Sequence, residues 1–165
     1  MIDLQHQIGL AVSHYWHTRL SQANKQAGTG KSDQGSRSAV TGGAQMDGFV
    51  NLTTELLLSI GVEKSAIFTK KKYLELPGYF RATKEWDLLV VRDSKLIAAI
   101  EYKSQAGPSF GNNFNNRTEE AMGSALDLWT AFREGALLST IRPWLGYFFL
   151  LEGCDGSYRP VRVNE

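Results

Sequence analysis

Asp87, Glu101 and Lys103 are the residues whose types and spacing could support catalysis. Glu101 and Lys103 stand two apart, so an extended chain directs both side chains to one face. Two carboxylates can hold Mg²⁺, which polarises a phosphoryl oxygen and lowers the pKa of a bound water. A lysine beside them would position or help deprotonate that water, or offset negative charge in the transition state. The trio suits metal-assisted hydrolysis of a phosphodiester; the alternative is an exposed Glu–Lys pair on an edge strand.

A β-hairpin would have to bring these residues together. Apolar runs follow Asp87 and precede Glu101, and a polar turn separates the two runs. If the loop takes five residues, Arg92 to Leu96, then Val91 pairs with Ile97 and Asp87 lies opposite Glu101, with Cβ atoms about 5 Å apart. A four-residue loop would put the acids on opposite faces. The site therefore requires a loop of odd length or a β-bulge.

Composition sets the outer bounds. A chain of 165 residues, 42% of them hydrophobic, suits a single domain over residues 1–165. Its 18 basic and 17 acidic residues give a net charge of +1, which neither demands nor excludes a nucleic-acid partner. The single cysteine, Cys154, excludes an intrachain disulfide and a cysteine zinc cage. With no signal-peptide pattern and no apolar run of membrane-spanning length, we expect a soluble cytoplasmic protein without membrane contact.

The first element is predicted to be an amphipathic helix over residues 2–25, with apolar residues at helical spacing. His14 and His17 are one turn apart on it and could hold zinc, but no third ligand follows at a suitable spacing, so we interpret them as solvated. A second helix is predicted from Asp47, which would cap it, to Gly61, which would end it. Glu55 on this helix is either a third acid of the site or an exposed residue.

Residues 27–45 are predicted to form a flexible Gly/Ser-rich loop. Its cations Lys31 and Arg37 could contact a nucleic-acid backbone, or the segment could be a mobile linker. Residues 28–32 end like a phosphate-binding loop, but Lys25 occupies the position where that motif needs glycine and no strand precedes it. We therefore expect no nucleotide cofactor.

The rest of the chain alternates predicted strands and helices. A half-buried strand is expected within residues 66–76, interrupted by three solvated lysines, and a long irregular loop over residues 106–117. A helix follows from Thr118, and Trp144–Leu151 reads as a strand covered on both faces that lies parallel to a neighbour. The polar tail, residues 153–165, shows no further element.

The loop before Thr118 is rich in side chains that can read nucleic acid. Asparagine can bond adenine edges, arginine can bond guanine, and both can bind phosphate oxygens. A loop this long in a compact domain is often functional, although asparagine is also an ordinary turn residue. The candidate DNA contacts are Asn112, Asn113, Asn115, Asn116 and Arg117.

The order of elements, with Asp87 and the Glu101-x-Lys103 pattern, resembles the PD-(D/E)xK nuclease superfamily, although Trp86 stands where that motif has proline. Three stretches are similar to the XhoI family of type II restriction endonucleases in particular: WDLLVV at 86–91, IEYKSQ at 100–105 and, most specifically, GPSFGNNFNNRTEEA at 107–121. The resemblance spans nearly the whole chain. It implies a restriction endonuclease-like α/β fold: a mixed four-stranded sheet with core order α-β-β-β-α-β, preceded by an amphipathic helix.

The resemblance also implies a function. Members of this family cleave double-stranded DNA with Mg²⁺ at a CTCGAG-type palindrome, as homodimers, within a restriction-modification system. By position, Asp87 and Glu101 would be metal ligands, the Tyr102 carbonyl a further ligand, and Lys103 the catalytic lysine. Glu55 matches the superfamily's occasional helix acid loosely.

Two other functions remain open at this point. Family members continue past the end of this chain, and the missing part could supply the dimer interface or base contacts. The chain could accordingly be a DNA-binding fragment that does not cleave, although such a module has no use for two carboxylates facing a phosphate without a metal. Another nuclease of the superfamily, acting in DNA repair, would share the trio but should lack the Asn-rich block.

Overall fold

The structure, a computed structural model, describes residues 2–28, 43–107, 110–137 and 141–160, without the side chains of residues 25–28 and of Asn112. These residues form two compact units, Met1–Lys64 and Ser65–Glu165. The expectation of one domain over the whole chain stays a prediction. None of the described helices combines the length and apolar character needed to cross a membrane.

The described residues of the first unit include two α-helices. The predicted N-terminal helix is confirmed as α1 (Leu4–Gly28), and a 3₁₀ turn at Gly43–Met46 leads into α2 (Asp47–Ser59). The 3₁₀ turn shows that the end of the predicted flexible loop is helical instead, whereas Lys31 and Arg37 lie outside the described residues. The helices meet at Gly48, where an added Cβ would lie 3.0 Å from Cα of Ala11. Glycine at this position therefore permits the close approach of the two backbones.

The ends of α2 only partly match the prediction. Gly61 ends the helix as predicted: its φ is +91°, and its N–H bonds to the carbonyl of Leu58. This is the left-handed conformation that glycine adopts without strain. Asp47 was expected to cap the start, but Met46 occupies the cap position and Asp47 lies inside the first turn. There its negative charge still interacts favourably with the positive end of the helix dipole.

The described part of the second unit contains the strands β1 (Ile67–Phe68), β2 (Glu75–Pro77), β3 (Thr83–Glu85), β4 (Leu88–Arg92), β5 (Lys95–Gln105) and β6 (Trp144–Leu151). Four of them form a mixed sheet, as predicted, and its strand order is β1-β4-β5-β6. The strands β2 and β3 form a separate ribbon that was not predicted. In the main sheet β4 runs antiparallel to both neighbours, whereas β6 follows a helical crossover and runs parallel to β5, also as predicted.

The segment predicted as one strand within residues 66–76 is in fact divided. A 3₁₀ turn at Lys71–Tyr73 separates β1, which joins the main sheet, from β2, which pairs with β3. The exposed lysines lie on this turn, as the prediction of a solvated segment required. The β2-β3 pair places Lys84 opposite Leu76. Strands of three residues are too short for an alternating pattern to reveal, which explains why the ribbon was missed.

The β4-β5 hairpin has a shorter loop than predicted. Arg92 pairs with Lys95, so only Asp93 and Ser94 form the turn, with φ angles of 49° and 58°. Positive φ at both central residues is the geometry of a type I′ hairpin turn, and Asp is among the residues that tolerate it. The predicted five-residue loop is therefore wrong.

A β-bulge restores the register that the shorter loop would have lost. Val91 pairs with Leu96, but Val90 pairs with Ala98, which leaves Ile97 as an extra residue on β5. The predicted pairing of Val91 with Ile97 is thus wrong near the turn. Beyond the bulge, however, the strands run in the register that the sequence predicts, because one added residue reverses the face of every residue after it.

The long helix α3 (Gly111–Arg133) begins seven residues earlier than predicted. Most of the Asn-rich block is therefore helical rather than an irregular loop. Leu128 of α3 is buried as expected, but Met122 is 67% exposed. The core between this helix and the sheet is formed by Leu74, Trp86, Leu89, Leu96, Ala99, Leu128, Ala131 and Leu137.

Two expectations for the C-terminal part are corrected. The strand β6 lies at the edge of the sheet, and its Trp144 is 62% exposed, so it is not covered on both faces. An apolar run alone does not distinguish a central strand from an edge strand. The tail was expected to hold no element, but Asp155–Tyr158 forms a single helical turn, α4.

Candidate active site

Asp87 and Glu101 occupy facing positions at one end of the β4-β5 hairpin. The last ladder pair joins Leu88 to Ile100, and the two acids stand one residue further along each strand. The N–H of Asp87 donates to the carbonyl of Ile100 at 3.1 Å, which continues the pairing to this position. The register that the sequence predicted for the two acids is therefore present.

The backbone of the opposite strand holds the carboxylate of Asp87. Its Oδ2 accepts the N–H of Tyr102 at 2.7 Å. Burial raises the pKa of Asp87 above its usual value and outweighs the Tyr102 hydrogen bond, which lowers this pKa. Among the nearby charges, Glu101 raises the pKa further, whereas Lys103 and Lys84 lower it. A cation beside Asp87 would stabilise its charged form.

Glu101 is 5% exposed, and each of its two carboxylate oxygens contacts a different lysine. Oε1 accepts a hydrogen bond from Nζ of Lys103, the pair that the sequence predicts to share a strand face. Oε2 accepts one from Nζ of Lys84 at 2.9 Å. A buried carboxylate is stabilised in this way because both of its oxygens have charged donors.

Lys84 was not among the predicted site residues. It lies on β3 in the small ribbon, its side chain is 12% exposed, and Nζ stands 4.6 Å from the centre of the Trp86 ring. The sequence held one signal for it, since Lys84 stands two residues before a buried tryptophan and three before Asp87. In an extended chain that spacing puts Lys84 and Trp86 on one face.

Glu101 and its two lysine partners border an open cleft of about 330 Å³. Glu101, Lys84 and Lys103 line one part of it, and Arg81 adds a third cation. The other wall is the α3 helix, which contributes further acids and small residues: Glu119, Glu120, Gly123 and Ser124. The cations of this cleft suit an anionic ligand, and two of them already pair with the buried carboxylate of Glu101.

Tyr147, also on the cleft, connects β6 to the start of α3. It pairs with Glu101 across the parallel strands, and its hydroxyl donates to the carbonyl of Arg117 at 3.1 Å. Burial, followed by the charge of Glu120, raises the pKa of Tyr147 to about 12. The hydroxyl therefore stays protonated and keeps its donor role at physiological pH.

A buried acid on α3 anchors the turn between β2 and β3. Asp127 is 2% exposed, and its Oδ1 accepts the backbone N–H groups of Tyr79 and Phe80 at 2.9 and 2.8 Å. Its Oδ2 pairs with Nε of Arg81 at 3.2 Å. The same ribbon carries Lys84, so Asp127 helps to position the cations of the cleft from outside it. Sequence reasoning missed this residue, because an acid within a helix usually faces solvent.

The predicted DNA-contact residues lie at the N-terminal end of α3. Asn113, Asn115 and Asn116 are exposed on the first two turns, and Arg117, partly buried, pairs with Glu120 of the cleft wall. Spacings of three and four place Asn113, Asn116 and Arg117 along one side of the helix. The side chain of Asn112 lies outside the described residues. DNA contact by this group stays a prediction.

Glu55 belongs to the first unit, unlike the other predicted catalytic residues. It is exposed on α2, where it borders a shallow depression with His14 and Asn51. Nε2 of His14 contacts the carbonyl of Ala44 at 3.0 Å, and Nδ1 of His17 contacts that of Ser13 at 3.1 Å. The catalytic role of Glu55 remains a prediction.

The donor set at Asp87 and Glu101 fits Mg²⁺. No group of three or more His, Cys, Asp or Glu side chains suited to a metal occurs among the described residues. A zinc site would need three or four such ligands, whereas Mg²⁺ uses one or two carboxylates and fills its remaining positions with water and phosphate oxygens. Asp87 and Glu101, with the Tyr102 carbonyl as a further candidate, supply oxygens alone.

Comparison with known proteins identifies the family. The model of the restriction endonuclease XhoI family matches residues 25–165. The type II restriction enzyme BstVI of Geobacillus stearothermophilus is 56% identical over 147 residues, which cover 86% of this chain and 64% of the relative. AbrI of Azospirillum brasilense is 48% identical over 95% of this chain and 70% of its own length. XhoI of Xanthomonas vasicola is 46% identical over 94% and 62%, respectively.

The match covers almost all of this chain, but it spans 62% to 70% of the length of these relatives. No solved structure matches the chain. The resemblance to the XhoI family that the sequence indicated is nevertheless confirmed. The chain belongs to the XhoI family of restriction endonucleases.

Proposed function

We propose that this protein is a Mg²⁺-dependent endonuclease that hydrolyses double-stranded DNA at a CTCGAG-type palindrome within a restriction-modification system. The observation that carries the proposal is the facing pair Asp87 and Glu101, with Lys84 and Lys103 on the two oxygens of Glu101. Membership of a family whose relatives are named type II restriction enzymes supports it.

In this proposal Asp87 and Glu101 hold Mg²⁺, which would polarise a phosphoryl oxygen and acidify a bound water. Asp87 is oriented by the Tyr102 backbone before any ligand arrives, so its carboxylate needs little rearrangement. Lys103 lies beside the same carboxylates, where its ammonium offsets the negative charge that develops on the phosphate. No side-chain nucleophile is required.

Recognition is assigned to the start of α3. Its exposed asparagines carry amide groups that pair with base edges, and the helix also forms a wall of the cleft. A palindrome presents the same sequence twice about a two-fold axis, so the proposal includes a homodimer in which each copy reads one half.

The test is cleavage of a supercoiled plasmid that carries one CTCGAG site, with Mg²⁺ or with EDTA. Lys103→Ala removes the catalytic lysine, and Lys71→Ala is the matched control because Lys71 is 84% exposed and pairs only with exposed Glu85 among the described contacts. We expect linear product that requires Mg²⁺ and Lys103 but not Lys71. Salt-sensitive binding without cleavage would instead establish a DNA-binding protein, and cleavage of the plasmid without the site would contradict the specificity.

A further inference from the structure

We infer that Lys84 is a second active-site lysine: without metal its ammonium holds Oε2 of Glu101, and when a divalent cation and DNA bind it releases that oxygen and contacts the scissile phosphate. The inference rests on the function proposed above. It assigns a role to a residue outside the Glu101-x-Lys103 pattern, on a different strand and in a different sheet.

A metal ion must first compete with two lysines for the carboxylate oxygens of Glu101. Both of its oxygens already have an ammonium partner, Lys103 on Oε1 and Lys84 on Oε2. A metal ion that coordinates Glu101 needs one of these oxygens, and a carboxylate oxygen directed at a metal offers a poorer acceptor to an ammonium. Binding of the cation must therefore weaken at least one lysine contact.

Lys84 is the lysine that remains held after such a release. Its ammonium lies 4.6 Å from the centre of the Trp86 ring and 3.4 Å from the carbonyl of Glu85. Both contacts are independent of Glu101. Trp86 is 2% exposed and belongs to the core, so it offers the ammonium a fixed surface.

After its release from Glu101, the ammonium of Lys84 takes the phosphate as its new partner. Lys84 lines the cleft together with Arg81 and Lys103, so its side chain already borders the space where the proposed function puts the phosphate. A phosphate oxygen is a strong acceptor for an ammonium. The exchange breaks one ammonium–carboxylate hydrogen bond and forms one ammonium–phosphate hydrogen bond, and Lys84 keeps its proton throughout.

Titration with Mg²⁺ alone, without DNA, tests the competition by calorimetry. Lys84→Met removes the ammonium but keeps an unbranched stem against Trp86. Loss of the competing charge should tighten Mg²⁺ binding about tenfold. Cleavage at saturating Mg²⁺ should slow about a hundredfold, because one donor to the phosphate is lost. A merely structural role for Lys84 would weaken both properties instead of moving them in opposite directions.

Lys71→Met is the matched control, since it also removes one ribbon-side lysine charge, but from an exposed pair with Glu85. This variant should change neither the affinity for Mg²⁺ nor the rate of cleavage. Lys84→Gln also removes the charge and should tighten Mg²⁺ binding as Lys84→Met does, which covers the case in which Lys84→Met fails to fold. Lys84→Arg keeps the positive charge and should bind Mg²⁺ as the unaltered protein does. Thermal melting of each variant verifies the fold.

The outcomes separate the two proposals. Mg²⁺ affinity that is unchanged or weaker in a folded Lys84→Met variant overturns the role of Lys84, even if the unaltered protein cleaves DNA. Tighter binding in Lys84→Arg, equal to that in Lys84→Met, also overturns it, because charge would not be the cause. Absence of Mg²⁺-dependent cleavage by the unaltered protein overturns the proposed function, and if it binds no Mg²⁺ both proposals fall.

Discussion

The carboxylate of Asp87 accepts the backbone N–H of Tyr102, the residue that follows Glu101 on the facing strand. The first metal-ligand candidate is thereby tied to the backbone beside the second. An amide in place of the carboxylate would still offer an oxygen to this N–H, so the hydrogen bond and the charge of Asp87 can be separated by one substitution.

Asp87→Asn should abolish Mg²⁺-dependent cleavage without destabilising the metal-free protein at pH 7. Burial raises the pKa of Asp87, so the native state binds this proton more tightly than the unfolded state. The free energy of unfolding therefore falls as pH rises from the usual value of 3.8 through the raised pKa, and the neutral amide removes that loss. Urea unfolding of both proteins in EDTA at pH 5 and pH 7 measures this change in the free energy of unfolding. A loss above about 1 kcal/mol at pH 7 would contradict the expectation.

Glu101→Gln should behave differently from Asp87→Asn. It leaves Lys84 and Lys103, whose side chains are 12% and 25% exposed, without their shared anionic partner. We expect the metal-free protein to lose roughly 1–3 kcal/mol of stability, the usual cost of removing one partner of a buried charged hydrogen bond. The same urea unfolding measures this loss. Glu85→Gln, at an exposed pair, is the control and should cost much less.

Tyr147→Phe should change the alkaline limb of the stability profile. The pKa of Tyr147 is raised to about 12, so the folded protein keeps this proton where an unfolded tyrosine loses it. Stability is accordingly lost between the ordinary pKa of about 10 and about 12, and the phenylalanine variant should lack that component. Unfolding at pH 9 to 12, with phenolate absorbance as a second readout, compares the two proteins. Identical pH profiles would contradict the assignment.

Asp127→Ala and Asp127→Asn should differ in their cost. The alanine variant leaves the N–H groups of Tyr79 and Phe80 without the oxygen they share, and we expect a loss of about 3 kcal/mol. Asparagine keeps an oxygen for both groups and loses only the charge opposite Arg81, whose side chain is 44% exposed, so its cost should be below about 1 kcal/mol. Thermal unfolding of both variants measures these two losses of stability. Equal losses would show that the ion pair, not the backbone contact, is the stabilising element.

The sequence predicts the two strands of the candidate site better than their surroundings. Counting along both strands from an assumed five-residue loop places Asp87 opposite Glu101, and the structure has this register because the bulge adds one residue to β5. The same reasoning named a bulge as one condition but assumed a five-residue loop, since Asp93 and Ser94 adopt a positive-φ turn that a Gly-free sequence does not signal clearly.

The parts that could not be predicted depend on contacts between distant residues. Lys84 reaches Glu101 from 17 positions away, and Asp127 binds Tyr79 from 48 positions away. Neither pairing leaves a periodic signature, because each depends on how a short ribbon packs against the sheet and helix. The helical start of α3 was missed for a local reason: asparagine is a frequent turn residue, and tertiary context overrides that preference.

The bulge at Ile97 has a consequence for how the gene can change in length. Because one extra residue sets the face on which Glu101 and Lys103 stand, a single-codon insertion or deletion between the turn and Ile100 that leaves the bulge in place should invert the site while leaving its residues intact. Two-codon changes, or a one-codon change that also removes the bulge, should preserve it. Libraries that vary the length of this hairpin but keep the bulge should therefore yield active members at alternate lengths only, a parity rule that substitution scanning would not reveal.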